Sequence, residues 1–140
     1  MGKQKKILVI DGHGGGLGSQ VIGAIIKNFP DYMLRGVGTN STATVQMIKA
    51  GAGEVATGEN AVIVGARWAD IIIGPVGIVI ADSLLGEVTP KMAVAVGQSQ
   101  AQRLLIPINQ CDNTILGMQN VPVSKLLSHM LDFLKEDADV

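Results

Sequence analysis

Cysteine, histidine and aromatic side chains are all scarce here: one Cys, two His, one Trp, one Tyr and two Phe in 140 residues. A lone Cys111 makes no internal disulfide, which agrees with a reducing compartment. His13 and His129 are far apart in sequence, and with one cysteine they supply no clustered ligand set for a transition metal. So few rings, together with a net charge of -1 and a pI near 6.0, give neither a stacking platform nor a basic field, which argues against nucleic acid as a partner. Charged residues make up only 16% of the chain, against roughly 25% in an average globular protein. That leaves little charge to cover a monomer, and a homo-oligomer with an apolar interface is expected. Long apolar runs are missing too. The most apolar stretch, residues 71–81, is broken by Gly74, Pro75 and Gly77, well short of the roughly 18 residues that a membrane span needs. The apolar run behind the basic N-terminus stops at Asp11, too early for a signal peptide, so a cytoplasmic protein with no membrane partner is expected.

What the chain does have is glycine, 18 residues of it, and a 47% hydrophobic content. The length suits one domain over residues 1–140. Apolar patterning switches repeatedly between continuous runs and helical spacing. It predicts strands over 6–10, 33–37, 54–56 and 70–73, and helices over 16–28, from Asn40 or Ser41 through Ile48, from the Thr57-Gly58-Glu59-Asn60 turn to Trp68, from Thr89-Pro90 to about Ala101, and over 122–135. Residues 77–85 fit a strand or a short helix, with the helix preferred. Residues 104–108 and 114–118 read as two further strands, joined either as a hairpin or in parallel. Strands alternating with helices predict an α/β fold: a three-layer Rossmann-like sandwich with a mainly parallel sheet of about five strands and an optional C-terminal hairpin. In such sheets ligands bind at the carboxyl ends of the strands.

The chain is organised around Asp11-Gly12-His13-Gly14-Gly15-Gly16-Leu17-Gly18, placed between the first strand and the first helix. Glycines allow the tight bend and close approach by which N–H groups at a helix N-terminus meet an anion. The spacing fails GxGxxG, because the last position falls on Leu17, and fits GxxxGxG through Gly12, Gly16 and Gly18. No Gly-Lys-Ser/Thr follows, so this is not a Walker loop. Asp11 and His13 are the most reactive pair in the turn. His13 suits a phosphate contact or acid–base work, while the plainer reading has Asp11 accepting N–H bonds from its own turn and His13 facing solvent.

Three further strand ends extend the candidate site: Thr39, Asn40 and Ser41; Thr57, Glu59 and Asn60; and Gly74 with Pro75. The first two groups serve equally as helix caps, and Glu59 suits a helix dipole with no ligand present. No carboxylate stands at the second strand end, where dinucleotide folds hold the ribose, although a nicotinamide or adenine nucleotide remains a candidate cofactor. Cys111 in a polar loop has no evident activating partner, and Asp11 or Asp112 are the only groups read as able to meet magnesium carried in by a phosphate.

With Gly15 included, the turn resembles the GxxGGxG turn of short-chain dehydrogenases and similar Rossmann domains, over about the first 30 residues. Their Tyr-x-x-x-Lys pair is absent, since Tyr32 is followed four places on by Gly36, so their chemistry does not carry over. Across most of the chain, the glycine turn, Gly38-Thr39-Asn40, residues 56–61, Ile73-Gly74-Pro75 and residues 86–90 resemble a bacterial domain-of-unknown-function family, which implies no activity or cofactor. Three functions remain in order: a binder of a nucleotide or other phosphate-bearing small molecule at the glycine turn; an oligomeric interaction module in which the glycines only permit tight packing; and a small enzyme using His13 with Glu59 or Cys111.

Overall fold

The computed structural model describes residues 4–108 and 112–139. Five strands, β1 (Lys6–Asp11), β2 (Met33–Gly38), β3 (Glu54–Thr57), β4 (Ile71–Pro75) and β5 (Gln102–Ile106), alternate with α1 (Gly16–Asn28), α2 (Ser41–Lys49), α3 (Glu59–Trp68) and α4 (Pro90–Gln98), and α5 (Val123–Ala138) closes the order. All four strand pairings are parallel, in the order β3-β2-β1-β4-β5. The connection therefore reverses direction between β1 and β4, the place where open α/β sheets leave a crevice.

The central strands carry apolar side chains on both faces. Ile7, Val9, Ile71 and Ile73 pack with Val21, Ile22, Ile25, Met47, Met130 and Leu134 from α1, α2 and α5. Leu8, Ile10 and Ile72 pack with Val62, Ala66, Met92 and Val96 from α3 and α4 on the other side. Successive strand residues point to opposite faces, so a continuous aliphatic run supplies both layers of a helix–sheet–helix sandwich. Beneath the sheet edge, Arg35 of β2 pairs with Glu54 and lies 4.0 Å over the Trp68 ring, joining β3 to the end of α3.

Several local expectations need correction. Residues 114–118 form no strand, and no hairpin forms with β5, which pairs in parallel with β4. Strand propensity in Thr114-Ile115-Leu116 is not enough without an apolar face to bury: Leu116 is 91% exposed, and Gly117 takes a φ of 82°. The connecting residues Asn109, Gln110 and Cys111 lie outside the described residues. Residues 77–85 hold only a 3-10 turn over Val76–Val79, followed by a bend at Ile80 and turns from Ala81. A helix cannot continue there because Asp82, Leu84 and Leu85 adopt left-handed φ values of 65°, 56° and 55°. At α3 the capping position is Gly58, which has no side chain to cap with, and the Thr57 hydroxyl is paired with the Thr44 hydroxyl at 2.6 Å. Asn40 does cap α2 and Thr89 caps α4, with Pro90 in its first turn.

Among the described residues, no helix is long and apolar enough to cross a membrane.

Candidate functional site

The glycine turn begins with Asp11, the last residue of β1, which is 6% exposed. Its carboxylate accepts the Gly12 N–H at 2.8 Å and the Gly18 N–H at 2.6 Å. Gly18 is the third residue of α1, whose capping residue Gly15 has no side chain to offer, so Asp11 caps the helix from seven positions away. The positive end of α1 is thus already answered by a carboxylate of the chain itself. Burial pushes the Asp11 carboxyl above its usual range, against the opposing effect of the Gly18 and Gly12 N–H groups.

Close packing explains part of the glycine run. Gly15 sits at φ 76°, and a Cβ there would lie 2.8 Å from the Ala43 Cα. At Gly18 a Cβ would lie 2.8 Å from the Asp11 Cβ, while Gly14 and Gly16 face open space. Leu17 is buried in the core beneath the turn. Gly15, Leu17 and Gly18 therefore build the turn, and Gly14 and Gly16 leave it open above.

The chemistry converges one step away, between the ends of β1 and β2. The His13 N–H, the Thr39 hydroxyl and the Asn40 side-chain amide donate to one oxygen, Oε1 of Glu87, at 2.9, 2.7 and 2.8 Å. The other carboxylate oxygen, Oε2, lies 3.8 Å from His13 Nε2. Asn40 is held for this role, since its Oδ1 accepts the Ala43 N–H at 2.8 Å and its Nδ2 also donates to the His13 carbonyl at 2.9 Å. Burial raises the Glu87 carboxyl, but the bonds from Thr39, His13 and Asn40, with the charge of His13, outweigh it and leave the group below its usual range. These donors make a seat for one anionic oxygen.

Of the residues singled out in the sequence, the structure brings His13, Thr39 and Asn40 to this seat with Gly12 beside it, while Asp11 is turned to the N–H groups of Gly12 and Gly18. Ser41 is the exposed first residue of α2. Thr57, Glu59 and Asn60 lie along the neighbouring β3–α3 rim, where Glu59 accepts the Thr89 hydroxyl at 2.6 Å. That bond ties the starts of α3 and α4 together. Gly74 and Pro75 are buried at the end of β4, and a Cβ on Gly74 would come 2.5 Å from the Ile10 carbonyl oxygen. Sequence reasoning missed Glu87, the centre of the arrangement. Its only signal was a carboxylate between β4 and the Thr89-Pro90 helix start, at the edge where ligands bind. Cys111 lies outside the described residues. Asp112 takes a left-handed φ of 64° on the surface.

Comparison with solved structures finds a universal stress protein in complex with cAMP, at 17% identity and a TM-score of 0.43, covering 75% of this chain and 98% of that one. A probable oxidoreductase from Mycobacterium abscessus is similar at 20% identity and a TM-score of 0.49, over 96% of this chain and 41% of that one. No curated protein sequence matches the chain. A family match extends over residues 6–139, taking in every strand, every helix and the whole Glu87 seat. The chain belongs to the family of the domain of unknown function DUF3842.

Proposed function

We propose that the protein binds a phosphate-bearing small molecule, nicotinamide and adenine nucleotides being among the candidates, at the crevice between the glycine turn and the end of β2. One observation carries the reading: three donors from His13, Thr39 and Asn40 converge on a single anionic oxygen at the carboxyl edge of a parallel sheet. Phosphate oxygens have the same charge and accept hydrogen bonds in the same way, and Gly14 and Gly16 leave the adjoining surface clear for the rest of a ligand.

The test is a thermal shift panel of NAD(H), NADP(H), adenine and guanine nucleotides and sugar phosphates at millimolar concentration. A ligand at 100 times its Kd stabilises the native state by about 2.7 kcal/mol. At least one member is expected to raise the Tm by several degrees, and Thr39→Val should weaken that ligand about tenfold by removing one donor to a charged oxygen. A flat panel, or undiminished binding by Thr39→Val, counts against this site.

A second reading, self-association, is favoured by the cleft between α3 and α4, about 690 Å³ in volume and lined by Ile63, Ala66, Val94 and Ala95 with Arg67 and Lys91. Val64 and Val94 are 46% and 52% exposed on these helices. With so few charges available, a second copy of the chain is the occupant that suits an apolar face. Light scattering at micromolar concentration is expected to give at least twice the 14.6 kDa chain mass, and Val94→Lys to return it to a monomer; a monomeric mass for the unaltered protein removes this reading.

A further inference from the structure

The group that fills the anion seat comes from the far side of the crevice. Glu87 belongs to the connection between β4 and α4, while all its hydrogen-bond donors belong to the loops after β1 and β2. Leu84 arrives with it. A Cβ placed on Gly12 would meet the Thr39 hydroxyl at 2.6 Å and both Glu87 Oε1 and Leu84 Cδ1 at 2.9 Å, so carboxylate and side chain together fill the space over the start of the turn. Leu84 is 2% exposed, whereas its neighbour Leu85 is 97% exposed.

The backbone that delivers these two side chains is strained. Asp82, Leu84 and Leu85 all hold left-handed φ values, and Gly86 follows at 89°. A non-glycine residue in that region costs roughly 1–2 kcal/mol, more readily borne by aspartate than by leucine. The connection holds this state with Leu84 seated in the core. It does so while its hydrogen bonds close on themselves, from the Asp82 N–H to the Val88 carbonyl at 2.8 Å and from the Gly86 N–H to the Asp82 carbonyl at 3.1 Å. The loop has its own internal bonds and is anchored by the Ser83 hydroxyl, which donates to the Gly77 carbonyl, and by Leu84 and Val88 in the core, so the Glu87 side chain is the part of it that reaches across the crevice.

We propose that the Glu87 side chain acts as a built-in competitor for the ligand site, its carboxylate occupying the seat of a phosphate oxygen, so that a ligand binds by displacing it. This rests on the phosphate-site reading above and specifies how that site is regulated. Binding strength is reduced by the fraction of molecules in which the Glu87 side chain is seated.

Calorimetric titration of inorganic pyrophosphate into the full chain, Glu87→Gln and Glu87→Ala tests the idea. The Gln variant keeps the shape of the side chain and removes the competing charge; the Ala variant vacates the seat. Both are expected to bind pyrophosphate at least tenfold more tightly than the unaltered protein. Equal or weaker binding by both variants, with the unaltered protein binding measurably, overturns the competitor while leaving the phosphate site standing. No binding by any of the three proteins overturns the phosphate site and the competitor together.

Discussion

Asp11→Asn is expected to destabilise the protein by about 3 kcal/mol, lowering the Tm by on the order of 10 °C, although it changes only one atom type. Both Asp11 oxygens accept backbone N–H groups, from Gly12 and Gly18, in a site that is 6% exposed. An asparagine offers one acceptor, and its amide points a donor at the other N–H. One buried donor is then left unpaired at a cost of about 1–3 kcal/mol, and the start of α1 loses part of its remote cap. Asp11→Ala removes both acceptors and should cost at least as much. Thermal and urea unfolding measure the loss, and a variant within 0.5 kcal/mol of the parent would show that the turn holds itself without this carboxylate.

The pH dependence separates Asp11 from Glu87. The Asp11 pKa is raised on folding, so its contribution is fully present below the ordinary value of 3.8 and declines as the pH rises through the higher folded value. The Glu87 pKa is lowered on folding, so its contribution is present above the ordinary value of 4.5 and is lost as the pH falls through the lower folded value. Unfolding free energies from pH 3 to 7 should therefore show the advantage of the parent over Asp11→Asn shrinking with rising pH, and its advantage over Glu87→Gln growing.

The second large effect is expected at Gly38, the last residue of β2. A Cβ there would lie 2.6 Å from both the Asn40 carbonyl oxygen and the Thr44 N–H nitrogen, and would collide with the Thr44 hydroxyl. Two of those three atoms belong to the backbone at the start of α2, so no side-chain rotation relieves the contact. Gly38→Ala must push α2 away from the sheet. The expected cost is about 3 kcal/mol, and because Asn40 moves with α2, binding of any ligand found in the panel should fall at least tenfold. Gly14→Ala and Gly16→Ala, where an added Cβ meets nothing within 4 Å, are the matched controls and should unfold close to the parent. Gly38→Ala with parental stability would mean that α2 tolerates displacement, and that Asn40 is less firmly held than its three bonds imply.

What could be read from the sequence divides along a physical line. The aliphatic run of β1, the Asn40 cap and the Thr89-Pro90 helix start are local signals, carried by residues next to the structure they specify. The parallel α/β sandwich follows from those signals through the general behaviour of alternating strands and helices. Glu87 was not legible because its partners are His13, Thr39 and Asn40, between 47 and 74 positions away, and nothing near residue 87 marks the pairing. The loop that carries Glu87 misled for a related reason: Ile78, Ala81, Leu84 and Leu85 have helical spacing, but left-handed residues hold the last two in place. At residues 114–118 composition favoured a strand, and the fold gave it no neighbour. In each of these cases a contact distant in sequence, or its absence, decided the outcome.

The two-sided burial of β1 leaves a problem of alignment. In a strand with one wet face, a slip by one residue would expose its apolar side chains, and the hydrophobic effect alone forbids it. In β1 such a slip would merely exchange Ile7 and Val9 for Leu8 and Ile10 between two aliphatic layers, at little cost in burial. Polar groups at the two ends provide the index instead. At the start, the Lys6 N–H donates to the Asp70 carboxylate at 2.9 Å and the Asp70 N–H returns a bond to the Lys6 carbonyl at 2.8 Å. At the finish, Asp11 is fastened to Gly12 and Gly18. The strand is located like a rod between two stops, so the carboxylate that shapes the glycine turn also fixes which half of β1 faces which layer.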